Sequence, residues 1–441
     1  MCGSEIRLAQ HVGRGRGGTY APGLRRIRDL RNRARLKRGE GAGSRMFYFD
    51  FACWGRMLRY AWNESDPGRK RKLFSLLLLR VPLIASINAL SFALDPIIFP
   101  GLRKTEIREP VFVIGHGRSG TTHLHDLLYR DAERFSCFMM YELFWPALIP
   151  KKLIRLFARL DEERLGGFFE RRAKARSDAR YSKTEDAHHQ AANYPEEDDG
   201  ILTYSCSSGS WSLRIPDLSV VGVHYIDEWP DRKRRRMMHF YRECIRRQLF
   251  LNGPDLVHLS KNPTFTGRIE SLIEFFPDAR FIIPYRNPLE TIPSLLKLMQ
   301  GFWQIRGVTE ERIQNGFRLI SEQSLHSYSY PDEVLARHPE QTVTEIDYRD
   351  LIAHPKEAIQ RVYADLGYEM SPEFEAILDE AEAKTGTHET KHSYSLEEFG
   401  LDEAEIREEL APLFERFDWP SKGFFEGPAF EPTPTKGITT S

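Results

Sequence analysis

The sequence predicts an α/β fold, with a central parallel sheet flanked by helices and an N-terminal apolar helical extension. Two observations predict it. After residue 110, short β-branched and aromatic runs are each followed by a turn and then by helically spaced apolar residues, which is typical of strand–loop–helix units. Before residue 110, the stretch 73–102 is almost uncharged and has the length of one or two helices.

Composition limits the classes of function. Lys+Arg and Asp+Glu both number 63, so the net charge gives no reason to expect a nucleic-acid partner. The hydrophobic fraction of 41% and the charged fraction of 29% are ordinary for a soluble globular protein. Five scattered cysteines without a CxxC pair predict neither a disulfide framework nor a zinc site. A reducing, cytoplasmic location is therefore expected.

The 441 residues divide into four regions. Residues 1–45 carry twelve Lys or Arg against three acidic residues and are predicted to be a disordered basic tail, without the apolar stretch of a secretory signal. Met46 would also serve as a start. We expect an N-terminal helical segment over 46–109, the main domain over 110–425 and a flexible tail over 426–441.

The apolar stretch of the N-terminal segment is expected to fall short of a membrane span. Arg80 and Pro82 interrupt it and Asp95 ends it, which leaves Val81–Leu94, whereas a spanning helix needs ~20 apolar residues. Two alternatives stay open. The helices lie on a membrane surface with the basic run 69–72 at the headgroups, or they pack on the main domain.

A glycine-rich loop follows the first predicted strand, Val111–Ile114, and precedes a helix. Residues 115–122 have the Gly-x4-Gly frame of a phosphate-binding loop, in which backbone N–H groups and a helix N-terminus face one anion. ATP- and GTP-hydrolysing proteins place Lys just before the final Thr, but this chain has Thr121 there. Its fixed positive charge lies earlier, at Arg118, so an arginine is predicted to hold the anion.

The loop GHGRSGTT resembles the 5′-phosphosulfate loop of sulfotransferases that use 3′-phosphoadenosine 5′-phosphosulfate (PAPS), in their bacterial and tyrosylprotein-like branch. The usual family pattern is Gly-x-Pro-[Arg/Lys]-Ser-Gly-Thr-Thr, and Gly117 replaces the common proline. The resemblance implies a P-loop NTPase-like sheet. It also implies that the donor's 5′ end is held by Gly117, Arg118, Ser119, Gly120, Thr121 and Thr122.

Further segments fit the same family in the same order. Arg286 follows the predicted strand Phe281–Tyr285, and Ser294 comes eight residues later, which resembles the family's 3′-phosphate pair. By resemblance Tyr348 lies near the adenine, although a packed core tyrosine is an equally good interpretation. The C-terminal segment 388–401, HETKHSYSLEEFGL, resembles the family segment that closes over PAPS. By resemblance it would supply Lys391 to the 3′-phosphate.

The chemistry is expected to depend on cations and one base. Lys261 begins the motif Lys-Asn-Pro. By resemblance it contacts the transferring sulfonate or the bridging oxygen, and Arg118 would help to neutralise the charge on that oxygen. The alternative is that Lys261 is a surface lysine. Glu142, among aromatic residues, is the expected base for the acceptor hydroxyl, and a capping or salt-bridged glutamate is the alternative. His116 and His123 are its rivals. No metal-ligand cluster is recognised in the sequence, so no metal is expected.

The resemblance implies a PAPS-dependent sulfotransferase that modifies a hydroxyl-bearing acceptor. That acceptor is a lipid, a sterol-like alcohol, a saccharide or a peptide tyrosine, and the apolar N-terminal segment favours a hydrophobic alcohol and peripheral membrane contact. Two rival functions are a P-loop nucleotide-dependent kinase and a non-catalytic, membrane-associated nucleotide-binding protein. The missing loop lysine counts against the first, and the retained Arg118, Arg286 and Ser294 count against the second.

Overall fold

A five-stranded parallel sheet organises the described part of the chain, which comprises residues 46–169, 171–172, 194–383 and 396–420 of a computed structural model. The spatial order is β2-β3-β1-β4-β5. The strands are β1 (Val111–Val113), β2 (Phe135–Ser136), β3 (Val257–Lys261), β4 (Arg280–Tyr285) and β5 (Thr342–Asp347). All residues of the central strand β1 are buried, as expected for a strand covered on both faces.

The carboxyl ends of four strands meet at one edge of the sheet. Val113 pairs with Lys261 of β3 and with Ile282 of β4, while Tyr285 at the end of β4 pairs with Asp347 of β5. The chain therefore delivers the loop after β1, the end of β3 and the first residues after β4 and β5 to the same place. Ligands of open α/β sheets bind in such a crevice. The α/β prediction with a central parallel sheet is confirmed.

Helices surround this sheet and extend it at the N-terminus. The α-helices are α1 (Phe51–Trp62), α2 (Pro67–Ser75), α3 (Val81–Ile98), α4 (Thr121–Tyr129), α5 (Leu148–Leu165), α6 (Leu218–Val221), α7 (Asp231–Asn252), α8 (Ile269–Phe275), α9 (Pro288–Ile305), α10 (Glu310–Arg337), α11 (Tyr348–Ala353), α12 (Pro355–Leu366), α13 (Pro372–Ala383), α14 (Glu403–Glu409) and α15 (Ala411–Phe417). Short 3₁₀ stretches are Pro100–Lys104, Met140–Leu143, Asp198–Ser205, Gly209–Leu213, Ile226–Glu228, Pro263–Arg268 and Glu397–Phe399.

Local sequence signals set several helix boundaries that matter for the site. The Asn287 side chain accepts a hydrogen bond from the Leu289 N–H (3.0 Å), and Pro288 begins α9. Helix α12 ends at Gly367, whose φ of 69° is the left-handed conformation that favours glycine. Proline at a helix start and glycine after a helix end are sequence signals of these boundaries.

The apolar stretch of the N-terminal segment continues as a helix through Arg80 and Pro82. A π-helical turn, Leu76–Arg80, joins α2 to α3, so that Pro67–Ile98 is one continuous helix, the first of the two numbers of helices that the sequence left open. The Val81 N–H bonds to the Leu76 carbonyl, which shifts the hydrogen-bond ladder just before the proline. By length and composition alone, this helix could cross a membrane.

One face of this helix nevertheless packs on the main domain. Met57, Leu77 and Phe92 of the N-terminal segment share a hydrophobic cluster with Phe112 of β1 and Ile283 of β4. A second cluster contains other residues of the sheet together with α4, α11, α12 and α13. The segment is thus part of the core on its inner side. The placement of residues 1–45, 426–441 and Lys391 lies outside the described residues.

Candidate active site

The loop between β1 and α4 has a backbone shape suited to an anion. Gly115, Arg118 and Gly120 have positive φ angles of 142°, 71° and 87°. A Cβ on Gly120 would lie 2.7 Å from the Tyr348 ring, so both its conformation and its surroundings require glycine. Loops in which right- and left-handed residues alternate can direct successive N–H groups toward one anion. These positive φ angles are compatible with the anion cradle that the sequence predicts, which stays a prediction.

The predicted donor ligands lie together around this loop. The Arg118 Nε donates to the Ser294 hydroxyl (3.2 Å), and an Arg286 guanidinium N–H donates to the Arg118 carbonyl (3.4 Å). Arg286 also donates through Nε to Glu290 (2.9 Å) and lies 4.3 Å from the centre of the Tyr348 ring. Residues from three separate sequence segments thus form one contact group that contains two arginines.

Gly117 and Thr121 are two further loop residues with distinct surroundings. A Cβ on Gly117 would lie 3.6 Å from Leu295, an ordinary contact, so a side chain at this position would fit. Thr121 is buried at the first residue of α4. Ser119 is fully buried within the loop. These residues complete the segment that the resemblance assigns to the 5′ end of the donor.

Lys261 ends β3 beside the loop. Its Nζ lies 3.4 Å from the Thr122 hydroxyl and 3.3 Å from Glu197 Oε1. Burial lowers the pKa of Lys261, but the charges of Glu197, Glu196 and Asp126 raise it, and the net pKa is above its usual value. Lys261 therefore carries a positive charge next to the helix start that would face the donor.

Glu142 lies in a closed ion pair. Its Oε1 is 3.1 Å from the Lys151 Nζ, and both side chains are fully buried. Its Oε2 accepts a hydrogen bond from the Met139 N–H (3.0 Å). These contacts match the salt-bridged, capping glutamate considered as the alternative for this residue. The role of Glu142 as acceptor base stays a prediction.

The two histidines near the loop are weak bases at neutral pH. Burial lowers the pKa of His116 to about 4, and its ring stacks on Tyr328 with 4.8 Å between the ring centres. Burial and then Arg130 lower the pKa of His123 to about 4. A base with such a pKa accepts a proton only weakly near pH 7.

Glu197 is a site residue that the sequence did not single out. Its side chain is 40% exposed, yet it pairs with the buried Lys261. The acidic run 196–199 contains it, and two other members of that run are buried: Asp198 accepts from the Tyr241 hydroxyl (2.7 Å), and Asp199 pairs with Arg268 (3.4 Å). The run therefore turns toward the protein interior. The partners are distant in sequence, so no local spacing could have identified the pair.

The charges of this site suit transfer of an anionic group. Arg118, Lys261 and Arg286 supply three cations around one glycine-rich loop, and Glu197 supplies a partly exposed carboxylate beside Lys261. Within the described ranges, no group of three or more His, Cys, Asp or Glu side chains could hold a metal ion.

Comparison with protein families places this site in a known class. Residues 110–372 match the model of the sulfotransferase family, which is more than half of the chain. The chain belongs to the sulfotransferase family, as the loop predicted, and its class of reaction is the transfer of a sulfonate to a hydroxyl acceptor.

Characterised and solved relatives agree with this assignment. The ω-hydroxy-β-dihydromenaquinone-9 sulfotransferases Stf3 of Mycobacterium bovis and Mycobacterium tuberculosis are each 26% identical over 382 residues, which cover 82% of this chain and 90% of theirs. The crystal structure of sulfotransferase STF9 from Mycobacterium avium has a TM-score of 0.65 at 18% identity, covering 92% of this chain and 98% of its own. The crystal structure of sulfotransferase STF1 from M. tuberculosis H37Rv has a TM-score of 0.58 at 20% identity, covering 83% of this chain and 94% of its own. The predicted P-loop-like fold is confirmed.

Proposed function

We propose that this sulfotransferase takes its sulfonate from PAPS and transfers it to the hydroxyl of a hydrophobic, lipid-like alcohol. The observation that carries the donor assignment is the contact group of Arg118, Ser294 and Arg286 on the glycine-rich loop. The acceptor assignment is supported by the names of the Stf3 relatives, which describe a hydroxylated menaquinone derivative. The free, buried cysteines Cys53, Cys137, Cys206 and Cys244 support a cytoplasmic location.

The donor would be bound at both of its anionic ends. The loop and Arg118 hold the 5′-phosphosulfate, while Arg286 and Ser294 hold the 3′-phosphate. Tyr348, which stacks with Arg286 and closes over Gly120, contacts the adenine. Glu290, now paired with Arg286, keeps the guanidinium oriented in the absence of phosphate. Lys391 is proposed as a further 3′-phosphate ligand.

Transfer would proceed by in-line displacement. The acceptor oxygen forms a bond to sulfur as the bond from sulfur to the bridging oxygen breaks, and adenosine 3′,5′-bisphosphate leaves with the electron pair. Lys261 and Arg118 stabilise the negative charge that develops on that bridging oxygen. The proton of the acceptor hydroxyl goes to a carboxylate.

We propose Glu197 as that carboxylate. It is the glutamate that is partly exposed beside Lys261, whereas Glu142 is enclosed with Lys151. A donor that draws the Lys261 ammonium toward its bridging oxygen releases Glu197 from its ion pair, so that the base becomes available when the donor is bound. Glu142 remains the competing prediction, and the two glutamates can be tested against each other.

Calorimetry with two nucleotides tests the donor assignment. Arg286→Ala should weaken adenosine 3′,5′-bisphosphate binding by about 30- to 1,000-fold, or ~2–4 kcal/mol, because a charge-assisted contact to the 3′-phosphate is lost. Adenosine 5′-phosphosulfate, which lacks that phosphate, should lose much less. Arg318→Ala, which removes an exposed surface ion pair with Glu322, is the matched control and should bind both nucleotides like the wild type.

Two results would contradict the assignment. Equal losses for both nucleotides would remove Arg286 from the 3′-phosphate site. Tight binding of ATP with Mg²⁺, together with weak binding of the bisphosphate, would favour the kinase alternative over PAPS.

A further inference from the structure

The exposed large hydrophobic side chains of the described chain are concentrated in two places. All but Met46, Phe51, Trp62 and Ile305 belong either to the helix Pro67–Ile98 or to α5 and the four residues that follow it. Single exposed apolar residues are common on soluble proteins, but a concentration of this kind marks an interaction surface.

The outer face of helix α3 is apolar. Leu83, Ile87, Leu90 and Leu94 recur on it every three or four residues, Leu79 of the preceding π-helical turn continues the same spacing, and Leu83 and Leu90 are 62% and 63% exposed. No charged residue occurs between Arg80 and Asp95. A helix at a water-facing surface would carry polar residues on that side, so an apolar outer face indicates a non-aqueous neighbour.

The inner face of α3 is fixed to the body of the protein by buried polar contacts. The Asp95 carboxylate pairs with Arg247 (2.8 Å) and accepts hydrogen bonds from the N–H groups of Leu148 (2.9 Å) and Ile149 (3.1 Å). The Asn88 side chain donates to the Phe144 carbonyl (3.0 Å). A helix tied to the protein in this way lies along a membrane surface and does not cross it.

The same Asp95 contacts join α3 to the start of α5, which carries a second apolar stripe. Leu153, Leu156, Phe157 and Leu160 follow the i, i+3, i+4, i+7 spacing of one helix face, and each is at least 39% exposed. The exposed basic residues Lys152, Arg155 and Arg159 lie along one side of that stripe, at helix positions that flank it. We call the outer stripes of α3 and α5 together the docking face.

Basic residues also stand at both ends of the α3 stripe. Arg71 and Lys72 are exposed before it, and Arg103 and Lys104 are exposed after it. Lys and Arg at the edges of an in-plane apolar helix attract anionic headgroups. A second copy of this chain is a poorer occupant, because two α3 stripes packed in either direction would bring cations against cations.

We infer that the docking face inserts into the interfacial layer of an anionic lipid bilayer, with α3 and α5 in the membrane plane. The docking itself needs neither donor nor acceptor, so it stands or falls separately from the proposed reaction.

Co-sedimentation of the full chain with vesicles tests this inference. The wild type should pellet with phosphatidylcholine–phosphatidylglycerol vesicles and more weakly with phosphatidylcholine alone. Leu83→Glu/Leu90→Glu should lower the partition coefficient at least about tenfold on both vesicle types, because two inserted side chains become charged. Measurement on neutral vesicles separates this effect from electrostatic binding by the basic residues 1–45. Ile305→Glu, at a 76% exposed apolar residue outside the docking face, is the matched control and should partition like the wild type.

Three outcomes would overturn the inference. The first is equal partitioning of wild type and Leu83→Glu/Leu90→Glu. The second is a wild-type dimer in sedimentation velocity that the double substitution dissociates, which would make the face a contact between copies. The third is no vesicle binding together with a lower melting temperature for the double variant but not for Ile305→Glu, which would mean that another part of the chain covers the face. Phe157→Glu repeats the measurement on α5 independently.

Discussion

Two lysine–glutamate pairs of the described chain differ in their access to solvent. Glu142 and Lys151 are both fully buried, 3.1 Å apart, and Lys151 also lies 5.0 Å from the centre of the Phe138 ring. Glu197 is 40% exposed and pairs with a lysine that also contacts Thr122 of the loop. We call Glu142–Lys151 the closed pair, and it has the burial of a structural contact. We call Glu197–Lys261 the open pair, and its exposure would let Glu197 and Lys261 change partners when substrates bind.

The difference shows why a carboxylate's setting in sequence is a poor guide to its role. Aromatic neighbours predict burial for Glu142, and burial is what the structure shows. Burial together with a dedicated cation holds a carboxylate in place, whereas an acceptor base has to touch the acceptor. Substitution of Glu197 should therefore lower turnover more than substitution of Glu142. Substitution of Glu142 should lower the free energy of unfolding more than substitution of Glu197.

The largest expected effect is on turnover. Glu197→Gln keeps the size and hydrogen bonding of the side chain but cannot accept a proton, so kcat should fall by ~10²–10⁴ while affinity for adenosine 3′,5′-bisphosphate stays near wild type. Single-turnover assays with labelled PAPS and a lipid extract as the acceptor source would measure it. Lys261→Ala should also lower kcat, and the two losses should be less than additive because both act in one transition state.

The assignment of the base to Glu197 is contradicted if substitution of Glu142 lowers turnover more than substitution of Glu197 does. A folded Glu142→Gln variant that loses turnover, beside a Glu197→Gln variant that keeps it, would return the base to the residue predicted from the sequence. His116→Asn serves as the third arm, since its loss of activity alone would place the base in the loop.

The proximity of Arg118, Arg286 and Tyr348 could be predicted from sequence because each of them follows a strand end. Arg118 and Arg286 follow β1 and β4 by a few residues, and Tyr348 directly follows β5. Parallel strands bring such positions together without further information. Strand–loop–helix spacing therefore predicted the fold and the position of the loop, whereas Ser294, which lies two helical turns into α9, was assigned by the family resemblance.

Two contacts between distant residues could not be predicted in the same way. The Lys261–Glu197 contact joins residues 64 positions apart, and Arg247 meets Asp95 across 152 positions. Neither pair has a helical or strand spacing that would reveal it. The choice between one and two helices around Pro82 stayed open for a different reason: a π-helical turn precedes the proline, and no residue type predicts such a turn.

The second largest expected effect is on stability, and it should be larger for Glu142→Gln than for Glu197→Gln. Glu142→Gln leaves the buried Lys151 without its counter-charge and should lower the free energy of unfolding by about 3–5 kcal/mol. Glu197→Gln, at a partly exposed pair, should change it by no more than about 1 kcal/mol. Urea unfolding of both variants would measure the contrast.

A double substitution separates lost charge pairing from lost packing. Glu142→Gln/Lys151→Met removes both charges, so most of the stability lost in Glu142→Gln should return. If the double variant is as unstable as the single one, the cost lies in the packing of the Met140–Leu143 turn and the closed pair is not the cause.

The smallest expected effect is a pH dependence that originates at Asp126, a carboxyl group near the open pair. Burial raises the pKa of Asp126, a neighbour of Lys261, from 3.8 to about 6, although the hydrogen bond from the Tyr194 hydroxyl (2.5 Å) opposes the shift. A raised carboxyl pKa means that the folded state binds a proton more tightly than the unfolded chain does. Its stabilising contribution is therefore fully present below pH ~4 and is lost as the pH rises through about 6.

Asp126→Asn removes this titration and keeps an acceptor for the Tyr194 hydroxyl. The unfolding free energy of the wild type relative to Asp126→Asn should fall by about 2 kcal/mol between about pH 4.5 and about pH 7.5. A difference that stays constant over this range would show that Asp126 is ionised throughout it. A difference that rises with pH below about pH 4 would mean that the ionised form is the one stabilised in the fold, and Asp126 would then belong to a permanent charge network like the one around Arg247.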